Sequence, residues 1–141
     1  MERCTKLSEL PAEPRSILEN ERRGVLTTID SRGRPHAVPV CHAIVGEEIW
    51  TPIDAKPKST PNLGRRKNIE RDPTVAFLVD RWDEEWTRLG WVMVRGSARM
   101  EPSGLGDDLW VARYPQYADI MVGNEVIVIE PDDILWWLWH D

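Results

Sequence analysis

Hydrophobic residues along the chain come in short runs that are rich in β-branched side chains and bounded by glycine, proline or acidic residues. Runs of this length and composition predict β-strands. Six are clear, and they cover residues 25–30, 35–45, 48–51, 74–80, 91–100 and 125–130. A further apolar run, ILWWLW, follows a predicted turn at 131–133. Polar turns at 31–34 and 46–47 predict that neighbouring strands pair as hairpins.

Three short segments carry helix signals. Residues 14–22 begin with a proline and place two aliphatic residues on one face, and residues 61–71 begin with Pro61 after Thr60, a good N-cap. Residues 107–114 have acidic residues in the first turn. A few helices beside about six antiparallel strands predict a mainly β (α+β) protein, folded as one small barrel domain over residues 1–141.

Individual residues predict where some strands lie in the sheet. The run TVAFLVD at 74–80 is apolar on both faces and is therefore expected to be central. Pro35 and Pro39 cannot donate ladder hydrogen bonds, so their strand is expected at an edge or interrupted there. Gly96 indicates a bulge or bend in the strand that contains it.

Positive charge is concentrated in one segment of an acidic chain. The net charge is −6, yet six of the 18 Lys and Arg residues fall within residues 56–71. The acidic balance argues against general nucleic-acid binding, whereas the local cluster suits an anion held by charge-assisted hydrogen bonds. A solvated basic face is the alternative.

Other sequence features limit compartment and chemistry. Cys4 and Cys41 lie in no zinc-like spacing, and the N-terminal segment has no apolar signal region, so a reducing cytoplasm is expected. The longest apolar run is too short to cross a membrane. His36 and His42 share one face of the second strand without a third ligand, so no metal site is expected.

The order of these motifs resembles a known family. The stretches RPHAVPV, WTPID, KPKSTPNLGRRKNI, DPTVAFLVDRWDEEW and WVMVRGSA follow one another as in the pyridoxamine 5'-phosphate oxidase-like split β-barrel proteins, of the FMN-binding split barrel type. The match is closest to the small enzymes that use the deazaflavin coenzyme F420, and it covers roughly residues 14–137. The resemblance implies a homodimer with two cofactor sites at the subunit interface, without nucleic-acid or membrane partners.

The resemblance also implies site residues. The cofactor phosphate is expected on the third strand and the basic segment, at Thr51, Lys56, Lys58, Arg65, Arg66 and Asn68. The flat ring is expected along the second strand, near Val38, Pro39 and Val40. The chain ends at Asp141 without the Arg-containing C-terminal segment of the pyridoxamine phosphate oxidases, so oxidation of a pyridoxine phosphate is not expected.

The function implied is an F420-dependent oxidoreductase that transfers a hydride between the deazaflavin and a small planar conjugated substrate. Hydride transfer is the cofactor's own chemistry, so the residues name no catalytic side chain. Trp82, Trp86 and Trp91 are candidates for the wall of the substrate pocket, with core or interface packing as the alternative. Two rival functions stay open: an FMN-dependent oxidoreductase of the same fold, and a non-catalytic flavin, haem or tetrapyrrole-binding protein.

Overall fold

The structure is a computed structural model that describes residues 2–54, 64–102, 107–118 and 122–140. Within these residues the strands are β1 Glu2–Cys4, β2 Gly24–Ile29, β3 Pro35–Val40, β4 Ala43–Val45, β5 Glu48–Asp54, β6 Thr74–Arg81, β7 Gly90–Pro102 and β8 Val122–Leu138. They form one antiparallel sheet in the order β3-β2-β6-β7-β8-β5-β4, with β1 added on β8. The α-helices are α1 Ala12–Asn20, α2 Gly64–Arg71 and α3 Asp107–Arg113. Short 3-10 turns lie at Leu7–Glu9, Trp86–Arg88 and Pro115–Ala118.

The connection between β3 and β4 shows why the sheet curls. These strands are the two ends of the hydrogen-bonded path, yet only Cys41 and His42 separate them in sequence. The two sheet edges must therefore meet, and the sheet closes into a barrel that is split between β3 and β4. Together with its three short helices, the eight-stranded sheet is the mainly β split barrel that the sequence predicts.

The barrel interior is filled by alternate residues of every long strand, among them Leu26, Phe77, Val94 and Ile129, all with 0% exposure. The alternation follows from the period-2 pattern of the strands. A second, smaller cluster lies outside the barrel, where Trp110 of α3 packs on Ala43, Val126 and Val128. The middle of β8 is consequently buried on both faces.

The two ends of the barrel are each closed by a helix. Helix α1 lies at the end that contains Gly90, where the Cδ1 atom of Ile17 would be 2.8 Å from a Cβ atom on that glycine. Helix α2 lies at the other end, where Asn68 donates to the Thr28 hydroxyl. The first helix is apolar on its buried face and the second is largely charged.

Several predictions about the strands are confirmed. β6 lies between β2 and β7, and β3, which carries both prolines, is an edge strand. The pairing of β7 with β8 shifts register between Arg95 and Gly96. A methyl group at Gly96 would collide with the Glu130 carbonyl oxygen, which explains the glycine.

Other predictions about boundaries are wrong. Residues 131–133 form no turn, because β8 runs through them and the bulge opposite Gly96 absorbs the irregularity. The predicted strand at 35–45 is two strands, β3 and β4, that lie at opposite edges of the sheet. The unassigned first residues form β1 and a 3-10 turn. No helix among the described residues is long and apolar enough to cross a membrane.

Candidate cofactor-binding site

Helix α2 lies at one end of the barrel and carries Arg65, Arg66 and Lys67, a set of basic residues called here the cationic rim. Its sequence is GRRKNIER, and only Asn68 and Ile69 are buried. The helix is tied to β2, because the Asn68 amide donates to the Thr28 hydroxyl at 3.0 Å and the Arg71 guanidinium donates to the Ile29 carbonyl at 3.0 Å. Fixing the buried side of the helix in this way leaves its basic residues at the barrel mouth.

The exposed side of this rim includes a cation held in ion pairs. Arg66 forms ion pairs with Glu70 at 3.0 Å and with Glu125 at 2.9 Å, while its side chain remains 43% exposed. Arg65 is half-buried and Lys67 is exposed. Exposed ion pairs contribute only about 0–1 kcal/mol, so an anionic ligand could displace the carboxylates from Arg66 at little cost.

Asn68, a predicted cofactor residue, forms hydrogen bonds with two other side chains of the chain. It is 6% exposed, its amide nitrogen is bonded to Thr28, and its amide oxygen accepts from Arg71 at 2.9 Å. Both ends of the amide are therefore satisfied within the chain. The geometry gives Asn68 a positioning role: it holds the helix that carries the cations.

Thr51 lies inside the barrel on β5, opposite Ile127. It is 0% exposed, and its hydroxyl has no hydrogen-bond partner among the described residues. A buried unpaired hydroxyl costs about 1–3 kcal/mol, so this group has spare hydrogen-bonding capacity beside the strand end that leads to the basic segment. Lys56 and Lys58, in that segment, lie outside the described residues.

The three predicted ring-contacting residues of β3 divide between its faces. Val38 and Val40 pack against the core cluster, whereas Pro39 is exposed on the outer face. Because β3 is an edge strand, alternate backbone groups face away from β2. A flat ligand along β3 would therefore meet Pro39 and backbone rather than the valine side chains.

His36 joins this region although it was not among the predicted cofactor residues. It is exposed, pairs in register with Thr28, and its Cε1 atom lies 3.7 Å from the position of a Cβ atom on Gly64. The imidazole consequently sits between the start of β3 and the start of α2. Its place on an edge strand was visible in the sequence, but its proximity to α2 required the fold.

The predicted substrate tryptophans lie elsewhere. Trp82 and Trp86 are 62% and 55% exposed, with ring centroids 6.4 Å apart, just beyond the end of β6. Trp82 comes seven positions after Val75, which lies at the α2 end of β6, and this is roughly 20 Å of extended chain. Trp91 is half-buried on the outer face of β7, opposite Trp137. Within one chain, the exposed tryptophan pair and the cationic rim are therefore at opposite ends of the barrel.

The loop that carries the tryptophan pair is held by several polar contacts. Arg81 pairs with Glu13 at 2.8 Å, and Arg88 pairs with Asp83 at 2.9 Å. The two indole rings meet edge to face. Large aromatic side chains kept in solvent by a fixed loop are typical of recognition surfaces.

The outer face of the sheet carries an exposed apolar surface along β6. Leu78 is 38% exposed, and a groove of about 420 Å³ runs beside it over residues that include Thr27, Ile29, Ala76 and Ser97. One end of the groove is closed by the ion pair of Arg95 with Asp133, 2.5 Å apart. The sequence predicted β6 to be apolar on both faces, and this is its uncovered face.

Comparisons with known proteins agree with the fold. The chain superimposes on a conserved hypothetical protein from Mycobacterium tuberculosis with a TM-score of 0.72 and 26% identity, covering 98% of this chain and 90% of that one. An F420 reductase gives a TM-score of 0.67 at 22% identity, covering 89% and 98%. A heme binding protein from Mycobacterium smegmatis gives 0.63 at 19%, covering 91% and 55%. No curated protein sequence matches.

The family assignment comes from the sequence model. The model described as pyridoxamine 5'-phosphate oxidase matches residues 10–137, which span the described residues from Leu10, just before α1, to the end of β8. This range includes every strand of the barrel except β1. The chain therefore belongs to the pyridoxamine 5'-phosphate oxidase family.

Proposed function

We propose that this protein is an oxidoreductase that binds coenzyme F420 at the α2 end of the barrel and acts on a small planar conjugated substrate. The observation that carries the proposal is the cationic rim of α2, formed by Arg65, Arg66 and Lys67 in a chain of net charge −6. The fold likeness to an F420 reductase is compatible with it. The family includes oxidoreductases, which supports the reaction class.

The rim suits a polyanion. Coenzyme F420 carries a phosphate and an oligoglutamate tail, and several separated cations are needed to hold such a chain of charges. Each charge-assisted hydrogen bond contributes about 1.5–3 kcal/mol, against about 1 kcal/mol for a neutral one. Lys56 and Lys58 of the same segment would extend the cationic surface. FMN, with one phosphate, would use fewer of these residues.

The chain's own contribution is binding and orientation. When bound, the deazaflavin supplies the hydride. The edge of β3 offers backbone groups and Pro39 to a flat ring, and the Asn68–Thr28 bond keeps the cations in place. His36 is an exposed imidazole at this end, and its ring nitrogens are hydrogen-bonding groups within reach of the proposed ring position.

A second copy of the chain is proposed to complete the site. Proteins of this fold family are commonly dimeric. The uncovered outer face of the sheet, with Leu78 exposed and Ala76 half-buried, is an apolar surface suited to such a partner. The tryptophan pair would then line the substrate side of a site, in the same chain or across the dimer.

The proposal is tested by titrating the purified protein with F420 and with FMN in parallel, followed by fluorescence. We expect tight binding of F420, and weaker binding in Arg65→Ala and Lys58→Ala at unchanged melting temperature. Multiple-turnover assays with reduced F420 and conjugated carbonyl or heteroaromatic compounds then define the substrate. Tight binding of FMN alone would transfer the function to flavin chemistry, and binding of neither would remove the cofactor assignment.

A haem or tetrapyrrole-binding function is the second candidate, because the exposed His36 imidazole stands beside a cationic helix. An imidazole nitrogen is an axial ligand for haem iron, and cations suit the propionates. Titration with haemin would show a Soret shift that depends on His36 if this function is correct. An unchanged spectrum in His36→Ala would exclude His36 as the ligand.

A further inference from the structure

A cavity of about 490 Å³ lies beside the α1 end of the barrel, away from the α2 rim. It is open to solvent on one side and is lined by the C-terminal part of α1, by β4 and by α3. Its cationic lining is Arg15, Arg22 and Arg113, and its apolar lining includes Ile44, Leu109 and Ala112. The volume lies within the range of pockets that hold small metabolites.

The positive charge in this cavity is not balanced. Glu19 is its only carboxylate, and that group is already paired with Arg15 at 2.5 Å. Neither Arg22 nor Arg113 forms an ion pair among the described residues. Both guanidiniums lie over the ring of Tyr114, at 4.5 and 5.3 Å from its centroid. Two unpaired cations over one ring repel each other, and an anion between them would remove that cost.

Arg113 and Arg22 differ in how many of their N–H groups donate to backbone carbonyl oxygens. Arg113 caps the C-terminal turn of α1, since it donates to the carbonyl oxygens of Glu19 at 2.6 Å and Glu21 at 3.2 Å, and also to that of His42. This explains Arg113 as a structural residue. Arg22 donates only to the Arg113 carbonyl among the described residues, which leaves four of its five N–H groups for a ligand.

A buried imidazole lies beside these two cations. His42 is buried behind Arg113 and donates from Nε2 to the Leu18 carbonyl oxygen, 2.7 Å away. Because a carbonyl can only accept, Nε2 carries the proton, and Nδ1 has no partner among the described residues. Burial, with Arg113 and Arg22 nearby, lowers the pKa of His42 to about 4.

We propose that this cavity binds a small organic anion, whose carboxylate or phosphate group lies between Arg22 and Arg113 and whose apolar body lies on Ile44, Leu109 and Ala112. The site is separate from the cofactor region and does not depend on the proposed function. The guanidiniums are held in advance by carbonyl oxygens and by the Tyr114 ring, so binding requires little ordering. The ligand chemistry is an oxyanion joined to an aliphatic or aromatic group.

The test is isothermal titration with phenyl phosphate, benzoate, inorganic phosphate and phenol as probes. We expect one molecule of phenyl phosphate or benzoate per chain, with phosphate and phenol each binding at least about tenfold more weakly because each lacks one half of the recognised group. The stronger of the two anions identifies the oxyanion. Equal binding of inorganic phosphate or of phenol would overturn the proposal.

Two variants and two controls locate the site. Arg22→Gln should weaken binding about tenfold or more by removing one charge-assisted contact. Ala112→Glu places a carboxylate in the cavity from an exposed position of α3 and should have a similar effect at unchanged melting temperature. Arg32→Gln, at the β2–β3 turn, should bind as wild type. Binding that survives both cavity variants, or is lost only in Lys67→Gln on α2, would overturn the assignment.

A second readout does not depend on heat of binding. An anion in the cavity offsets the charge of Arg113 and Arg22, so saturation should raise the pKa of His42, followed by NMR of the imidazole protons. An unchanged titration of His42 at saturating phenyl phosphate would show that the anion binds elsewhere.

Discussion

The two ends of the barrel are closed by helices of opposite character. Helix α1 buries Pro14, Ile17 and Leu18, and its last carbonyl oxygens are capped by Arg113. Helix α2 buries only Asn68 and Ile69 and is held by hydrogen bonds to β2. Fully burying an Ile or Leu side chain contributes about 1.5–3 kcal/mol, so α1 adds more to stability than α2.

Because of this difference in burial, the α1 end contributes mainly to the stability of the fold and the α2 end is suited to ligand binding. The apolar buried face of α1 closes its end of the barrel tightly but offers no charge to a ligand inside the barrel. A helix with one buried aliphatic residue is more weakly docked, yet it keeps a row of cations at the barrel mouth. The proposed cofactor region therefore lies at the end that contributes less to the stability of the fold.

The largest expected effect is on the α1 end. Leu18→Ala removes a fully buried side chain and should lower the free energy of unfolding by about 2–5 kcal/mol. Guanidinium denaturation measures this, and cofactor affinity of the folded fraction should stay at the wild-type value. Equal destabilisation by Ile69→Ala of α2, which is 3% exposed, would show that both ends carry stability alike.

The next effect is pH-dependent and also belongs to the α1 end. The pKa of His42 is about 4 in the folded protein against an ordinary value of 6.5. As the pH falls below 6.5 the unfolded chain takes up a proton that the folded chain does not. Folding stability should fall by up to about 3 kcal/mol by pH 4 from this group.

Comparing wild type with His42→Gln isolates that contribution, because carboxylates titrate alike in both proteins. Urea denaturation between pH 7 and 4 should show a steeper loss of stability in the wild type. Parallel pH profiles for the two proteins would contradict the assignment of a neutral buried His42.

A smaller loss is expected at the α2 end. Thr28→Val leaves the buried Asn68 amide without one partner and should cost about 1–3 kcal/mol of folding free energy. Because the bond positions α2, F420 affinity should fall as well. A double-mutant cycle with Asn68→Leu should show the two changes to be non-additive. Additive losses would mean that the two side chains act independently.

The fourth prediction concerns a substitution that should weaken cofactor binding while leaving the stability of the fold unchanged. Lys67→Gln changes an exposed side chain of α2. It should alter the melting temperature very little and should weaken F420 binding about tenfold, as expected for one charge-assisted contact. Arg32→Gln is the matched control. The same affinity in both variants would leave α2 as a solvated basic face.

The last prediction asks whether the two ends meet across a dimer. Chains with Trp82→Ala and Trp86→Ala are mixed with chains carrying Arg65→Ala and Lys67→Gln, then unfolded and refolded together. If the tryptophan pair of one chain serves the rim of the other, about a quarter of the wild-type sites should return. If both belong to one chain's site, the mixture should stay as inactive as its parents.

Much of the barrel followed from local pattern. β6 was placed centrally by its apolar run, β3 at an edge by its prolines, and Gly96 at a bulge, all as found. The turn at 131–133 was wrong because a strand can continue through Pro-Asp-Asp when it bulges there, with Asp132 left unpaired opposite Arg95 and Gly96. Nothing local distinguishes that case from a true turn.

The candidate site was less visible in the sequence. The run GRRKNIER was recognisable as a cationic helix, but the sequence did not reveal that Asn68, predicted as a cofactor residue, donates to the Thr28 hydroxyl. Trp82 and Trp86 were predicted to wall a substrate pocket, and within one chain they lie at the end of the barrel opposite α2. Arg22, Arg113 and His42 are far apart in sequence and gave no signal as a group.

What the sequence determined by itself was most of the strands, the concentration of cations and the family, because each rests on neighbouring residues or on their order along the chain. What only the tertiary structure decided was which side chains face each other. Closing the barrel brings β3 beside β4 and moves Arg113 onto the end of α1, and these contacts depend on how the sheet curls. Curling is a property of the whole sheet, so no single segment could reveal it.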